Sequence, residues 1–168
     1  IGILKSNNGG TTWDTTGIQF PVPSNKMVNK LIIHPTFTDS IFAATDERIM
    51  ISPDGGQTWS MAQNTSGSNL IGRFRDIEFK PNNPNVLYAV KQTNGSSEVF
   101  KSTDRGLTWF SSNNGIGLVN RNRPLIAVTP ANPDVVYVLF CKNDYSFHGL
   151  YKSTDNGDNW TLQSDSPN

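Results

Sequence analysis

Asp46, Glu47, Arg48, Arg73, Arg75, Arg121, Arg123, Asp144, Tyr145, Phe147 and His148 are the residues whose types could do chemistry together in this chain. Carboxylates beside aromatic rings suit a carbohydrate, because sugar faces stack on rings while hydroxyls pair with acids and amides. Cleaving a glycosidic bond asks for more: two carboxyl groups about 5–5.5 Å apart for retention, or about 6.5–9.5 Å for inversion. Thr45-Asp46-Glu47 follows the second apolar run of its unit, and the candidate catalytic role of Asp46 rests on a family resemblance given below. Glu47, Arg73, Arg75, Arg121, Arg123, Tyr145 and His148 are the candidate binding residues. His34, His148 and Cys141 are too scattered to form a metal site, and the glycines belong to turns rather than to a phosphate-binding loop. Neither a metal nor a cofactor is expected.

The elements that must position these residues are set by a repeat. An eight-residue segment occurs four times: SNNGGTTW at 6–13, SPDGGQTW at 52–59, STDRGLTW at 102–109 and STDNGDNW at 153–160. The recurring positions are Ser6, Asn8, Gly10 and Trp13; Ser52, Asp54, Gly56 and Trp59; Ser102, Asp104, Gly106 and Trp109; and Ser153, Asp155, Gly157 and Trp160. An Asp two residues before a Gly accepts hydrogen bonds from its own turn, while the Gly takes a positive φ. The segment therefore reads as a β-hairpin turn whose Trp returns on the second strand and buries apolar surface. Its Asp is structural.

The box serines at positions 6, 52, 102 and 153 are spaced by about 50 residues, the period of propeller blades of four strands. Upstream of each later box stand a strand closed by Pro (Leu31 to Pro35, Ile77 to Pro81, Ile126 to Pro130) and a second apolar run (Ser40 to Ala44, Asn85 to Val90, Asp134 to Leu139). The fold class is all-β: a β-propeller segment of four-stranded antiparallel blades, with the box between the third and fourth strands. The units are a half blade at 1–20 and blades at about 27–63, 72–112 and 123–163. About three and a half blades do not close a ring of 4–8, so the sequence reads as one partial propeller whose first partner is the rest of a longer chain.

Strand alternation puts the boxes and the loops between first and second strands on one face. The more variable connections at 45–48, 91–98 and 141–149, with the interblade stretches 64–75 and 112–123, lie on the other. Function is expected on that second face.

The repeated segment resembles the Asp-box, or BNR repeat, S/T-x-D-x-G-x-x-W; Asn8 in the first copy departs from it. Families with this box include sialidases, xyloglucanase-type glycoside hydrolases, sortilin-type receptors and exported bacterial repeat proteins, in which it stabilises the fold away from the active site. Blade segments such as NPNVLYAV and NPDVVYVLF are similar to the exported bacterial proteins labelled glycosyl-hydrolase-like or sortilin-like. That resemblance implies a secreted or cell-surface location. Asp46 after Thr45 is similar in place to the acidic loop of the xyloglucanase type, with Glu47-Arg48 where that family has glycines. Phe74-Arg75 resembles the start of the sialidase Phe-Arg-Ile-Pro segment, but Asp76 and Ile77 depart from it.

Composition excludes other classes. Lys plus Arg and Asp plus Glu number 14 each in 168 residues, and 17% of residues are charged, so no long-range field favours nucleic acid. No apolar run reaches the length of a membrane-spanning helix, and a single cysteine permits no internal disulfide. The resulting expectation is a non-catalytic binding or structural module for carbohydrate or protein. The alternatives are part of a xyloglucanase-like glycoside hydrolase and, third, a sialidase.

Overall fold

The computed structural model describes residues 2–117 and 120–166. Ile1 of the expected half blade, Leu118 and Val119 of the interblade stretch, and the terminal Pro167 and Asn168 lie outside the described residues.

The chain forms strands β1 (Gly2–Lys5), β2 (Asp14–Gln19), β3 (Val28–Ile33), β4 (Ile41–Thr45), β5 (Ile49–Ser52), β6 (Ser60–Met61), β7 (Gln63–Asn64), β8 (Arg73–Phe79), β9 (Leu87–Gln92), β10 (Glu98–Ser102), β11 (Thr108–Ser111), β12 (Asn122–Val128), β13 (Val136–Cys141), β14 (Phe147–Ser153) and β15 (Thr161–Ser164). They make a two-stranded sheet β1-β2 and three antiparallel meanders, β3-β4-β5-β6, β8-β9-β10-β11 and β12-β13-β14-β15. β7 adds to the third sheet by running parallel to β11. The four-stranded antiparallel blade expected from the repeat is the unit observed, with each box between its third and fourth strands.

All four boxes close in the same way. In the second, Ser52 Oγ donates to Asp54 Oδ1 (2.9 Å), Gly56 N donates to Ser52 Oγ (2.8 Å), and Asp54 accepts both Thr58 N (2.8 Å) and Thr58 Oγ1 (2.6 Å). Asp104 and Asp155 repeat this with Thr108 and Asn159. Asn8 reproduces it without a charge: its Oδ1 accepts Thr12 N (2.9 Å), while its amide donates to Thr12 Oγ1 (2.8 Å). The Thr58 hydroxyl and amide hold the Asp54 carboxyl down to about 2, and the Asn159 side chain does the same for Asp155. For Asp104 burial pushes upward, but the bonds from Thr108 and Ser102 outweigh it and the carboxyl lies below its usual range.

The box tryptophans are what join the sheets. Trp109 is fully buried, in a cluster that combines Phe42 and Ile49 of the second sheet with Phe74, Leu87 and Phe100 of the third. Trp160 packs with Tyr88, Val90 and Val99 of the third sheet, and Trp59 with Ile3, Ile18 and Ala43. Each of the last three boxes thus pins its own sheet to the preceding one, and fully burying about 150–250 Å² of aromatic surface, as at Trp109, is worth roughly 4–6 kcal/mol. Gly106, at φ 77°, is required here, because a Cβ would stand 2.8 Å from the Phe42 ring. Trp13 departs from the expected burial: it is 59% exposed, since no described sheet lies on that side of β1-β2. Trp13, Trp59 and Trp160 also stand one residue ahead of the returning strand rather than on it. The Trp13 and Trp59 indoles turn back to the carbonyls of Gly10 and Gly56 (3.1 and 3.0 Å), while that of Trp160 donates to the Ser112 carbonyl (2.9 Å).

Two connections are shorter than expected. The strands continue to Gln92 and resume at Glu98, and they continue to Cys141 and resume at Phe147. The Phe147↔Cys141 pair past an irregularity at Phe140 explains the second: polar ladder residues there look like loop to a sequence reading.

Candidate functional site

Backbone bonds fix the two faces. On one, the box amides of Gly55, Arg105 and Asn156 donate to the carbonyls of Asp39, Asn85 and Asp134 (2.8, 2.9 and 3.0 Å). On the other, Asp46 N donates to Met27 O (3.0 Å), Gly72 N to Glu47 O (2.7 Å) and Arg121 N to Gly95 O (3.3 Å). The sequence-predicted site residues fall on the second face in two groups.

The first group lies between the second and third sheets. Asp46 follows β4 and its side chain is only 4% exposed. Its Oδ1 accepts Asn29 Nδ2 (2.9 Å) and stands 3.2 Å from Arg73 Nε. The Asn29 amide also donates to Phe74 O (2.8 Å), and Asn29 Oδ1 accepts Arg75 Nη1 (3.3 Å). Glu47 pairs with Lys26, and its other oxygen stands 3.4 Å from Arg48 Nη2. The Lys26 ammonium holds the Glu47 carboxyl below its usual range against an opposing push from burial. Beside this network lies a cavity of about 160 Å³ bordered by Ile18, Phe20, Thr45, Glu47, Arg48 and Met50. Arg73 and Arg75 project from strand β8 and not from an interblade loop, because β8 begins four residues before its apolar run.

The second group lies on the last sheet. The Arg123 guanidinium stands 4.2 Å from the centre of the Tyr145 ring, and both side chains are exposed. Both also hold left-handed backbone angles, φ 39° for Arg123 and 69° for Tyr145. His148, expected in a loop, sits half-buried within β14. Asp144 accepts Ser146 N and Oγ (3.0 and 2.7 Å), and the Ser146 hydroxyl keeps its carboxyl below the usual range. Arg121, expected on the loop surface, is 3% exposed with its guanidinium 5.6 Å from the Phe140 ring centre. It offers no surface to a ligand, and burial pulls its guanidinium below the ordinary value.

Sequence reasoning missed Asn29 and Lys26. Asn29 carried a signal, a polar residue opening an otherwise apolar strand, but its partners Asp46 and Arg75 are set by sheet contact. Among the described residues no group of three or more His, Cys, Asp or Glu could hold a metal ion, and no helix is long and apolar enough to cross a membrane.

Sheets of this order, carrying four such boxes of which the last three join neighbouring sheets, define an Asp-box β-propeller unit. The chain matches the Sortilin-Vps10 family (Sortilin, neurotensin receptor 3) over residues 2–109 and again over 47–167, and belongs to that family. It is 27% identical over 131 residues to a xyloglucanase from Paenibacillus sp, an alignment covering 64% of this chain and 13% of the relative. Among solved structures it is similar to an ancestral GH74 enzyme (TM-score 0.79, 24% identity, 99% of this chain and 22% of that one). It is also similar to the GH74 xyloglucanase from Xanthomonas campestris (TM-score 0.72, 15% identity, 96% and 26%). A third likeness is YCF48 from Cyanidioschyzon merolae (TM-score 0.55, 16% identity, 84% and 38%). These structural likenesses establish the propeller fold, and the chain spans about an eighth of the xyloglucanase it matches.

Proposed function

We propose that this chain is a non-catalytic polysaccharide-binding unit of a secreted or cell-surface bacterial protein of xyloglucanase-like type. In this reading a glycan lies across the face that carries Glu47, Arg73, Arg75, Arg123 and Tyr145. The observation that carries it is the exposed Arg123–Tyr145 stack at 4.2 Å, with both residues at positive φ. Left-handed backbone at a non-glycine residue costs free energy, and a pair of such residues holding one ring in place is a rigid platform for a sugar face. The relation to a xyloglucanase supports a β-glucan as the ligand. Titrating the chain calorimetrically with xyloglucan oligosaccharides tests this: Tyr145→Ala should weaken binding about tenfold, and unchanged affinity removes the platform.

A second reading makes Asp46 a catalytic carboxylate of a xyloglucanase-like hydrolase. It is favoured by the place of Asp46 directly after Thr45 at the end of β4 and by the xyloglucanase relative. The ion pair with Arg73 and the amide bond from Asn29 weigh toward a positioning role instead, because they occupy Oδ1 with structural donors. Asp46→Asn in the full-length protein separates the two: lost hydrolysis with retained oligosaccharide binding supports the catalytic reading, and retained hydrolysis removes Asp46 from it.

A further inference from the structure

Asparagine followed by glycine is the pair at which a chain can attack itself, because glycine lacks the Cβ that would shield its amide nitrogen from the preceding side chain. The sequence holds four such pairs, Asn8-Gly9, Asn94-Gly95, Asn114-Gly115 and Asn156-Gly157. In this reaction the glycine nitrogen bonds to the asparagine Cγ, so the side-chain amide and that nitrogen must both be free to approach one another.

Three of the pairs are held by the fold. Asn8 is the polar centre of the first box: its Oδ1 accepts Ser6 Oγ (3.0 Å) and Thr12 N (2.9 Å), and its Nδ2 donates to Thr12 Oγ1 (2.8 Å). Asn114 lies against the last box. Its Nδ2 donates to Asn159 Oδ1, its carbonyl accepts Trp160 N (2.8 Å), and a Cβ on Gly115 would stand 2.1 Å from the Trp160 carbonyl oxygen. Asn156 Oδ1 accepts Lys80 Nζ, and the nucleophile itself is occupied, since Gly157 N donates to Ser153 Oγ (2.8 Å). Each of these side-chain amides would have to give up its hydrogen bonds before its Cγ could turn to the glycine nitrogen.

Asn94-Gly95 differs at each of these points. It forms the crest of the β9-β10 connection, where Asn94 is exposed and, among the described residues, its side chain has no hydrogen-bond partner. Gly95 N has none either; Gly95 is bonded through its carbonyl, which accepts Arg121 N (3.3 Å). The stem below the crest is stapled. Thr93 N donates to Ser97 Oγ (3.1 Å), Ser97 Oγ donates to Thr93 O (2.9 Å), and the Thr93 and Ser96 hydroxyls stand 3.1 Å apart. A Cβ at Gly95 would meet nothing closer than Asn143 Nδ2 at 3.5 Å, an ordinary contact, so the crest also has room for a ring to form.

We infer that Asn94 is a site of covalent self-modification: Gly95 N attacks Asn94 Cγ, the new N–Cγ bond forms as the Cγ–Nδ2 bond breaks, and ammonia leaves with the amide proton, closing a five-membered succinimide. Water, the co-reactant, then adds at either ring carbonyl. Opening on one side leaves an aspartate at position 94, and on the other an isoaspartate, whose main chain is longer by one methylene. Either product puts a carboxylate at the crest. The isoaspartate does more, because Gly95 O and Ser97 N are bonded to the amide and carbonyl of Arg121 (3.3 and 3.2 Å) and the added methylene lies beside that pairing. The change is thereby passed to the stretch leading into β12, near whose start Arg123 stands. The site does not rest on the function proposed above.

The test is to age the full chain in mildly alkaline buffer and follow each Asn-Gly pair by peptide mapping, reading the gain of about 1 Da as amide becomes acid and labelling isoaspartate with an isoaspartyl methyltransferase. In native protein the peptide with Asn94 should convert faster than those with Asn8, Asn114 and Asn156 by about tenfold or more, because only those three must first open locally. In denaturant all four should convert at comparable rates. Asn94→Gln, whose longer side chain would have to close a six-membered ring, should leave its peptide unconverted over the same period. Native conversion at Asn8, Asn114 or Asn156 as fast as at Asn94, the same ratio of rates in native and denatured protein, or conversion at Asn94 without isoaspartate would each overturn the inference.

Discussion

Arg123 and Tyr145 are brought together across the last sheet from the start of β12 and the β13-β14 connection, with the guanidinium 4.2 Å from the ring centre. An exposed cation–π contact is worth about 0.5–1 kcal/mol, so it orders the ring more than it stabilises the fold. Tyr145→Ala is expected to change unfolding free energy by less than about 1 kcal/mol while weakening glycan binding by about 1–2 kcal/mol, a loss of roughly five- to thirtyfold. Chemical denaturation and calorimetry on the same variant check both halves.

The four tryptophans provide an internal control for what the boxes do. Trp109 is fully buried between two sheets, whereas Trp13 is 59% exposed. Trp109→Ala should cost about 3–5 kcal/mol through loss of transfer energy and the cavity left behind. Trp13→Ala should cost less than about 1 kcal/mol. Urea titrations of the two variants, read as midpoint shifts at constant slope, decide it; similar losses would mean that the box tryptophan acts within its own hairpin rather than between sheets.

Three box carboxylates make stability fall in acid. Asp54 and Asp155 are held at about 2 by the side chains of Thr58 and Asn159, below the 3.8 of an unperturbed aspartate, and Asp104 is also lowered. A depressed folded-state value means stabilisation that is complete above the unfolded value and lost as pH falls through the folded one. The loss should therefore run from about pH 4 to about pH 2. Asn8 closes its turn with the side-chain bond reversed and without a proton to gain, so Asp155→Asn should flatten its share of the slope. Denaturation midpoints measured from pH 5 to pH 2 test this, and an unchanged slope in Asp155→Asn would assign the acid loss elsewhere.

Asp46 has little contact with water, so its partner matters. Its side chain is 4% exposed, while that of Arg73 is 47% exposed. Arg73→Ala leaves a buried carboxylate with Asn29 as its remaining hydrogen-bond donor and should cost about 1–3 kcal/mol. The double variant Arg73→Ala with Asp46→Asn should recover part of that loss. Additive losses in the double-mutant cycle would show that the two side chains do not interact.

The blade was legible because its signals are local. Ser, Asp, Gly and Trp at fixed offsets specify a hairpin whose hydrogen bonds close within eight residues, and alternating apolar runs ended by Pro specify the strands around it. Asn8 could be read as a substitute for Asp on the same ground. The site was legible only in outline. Strand alternation assigned residues to a face, but a polar strand end such as Phe147 to Gly149 looks like loop until its partner Cys141 is known.

By itself the sequence determined the repeat, the strand order within each sheet and the two faces, because all of these follow from contacts between residues near one another in the chain. Tertiary structure decided which side chains meet. It buried Arg121 against Phe140, tied Asp46 to Arg73 and Asn29, and stacked Arg123 on Tyr145. The Asp46–Arg73 pairing depends on how the second sheet packs on the third, and the Arg121–Phe140 and Arg123–Tyr145 contacts depend on strand register and turn geometry within the last sheet, neither of which a local pattern records.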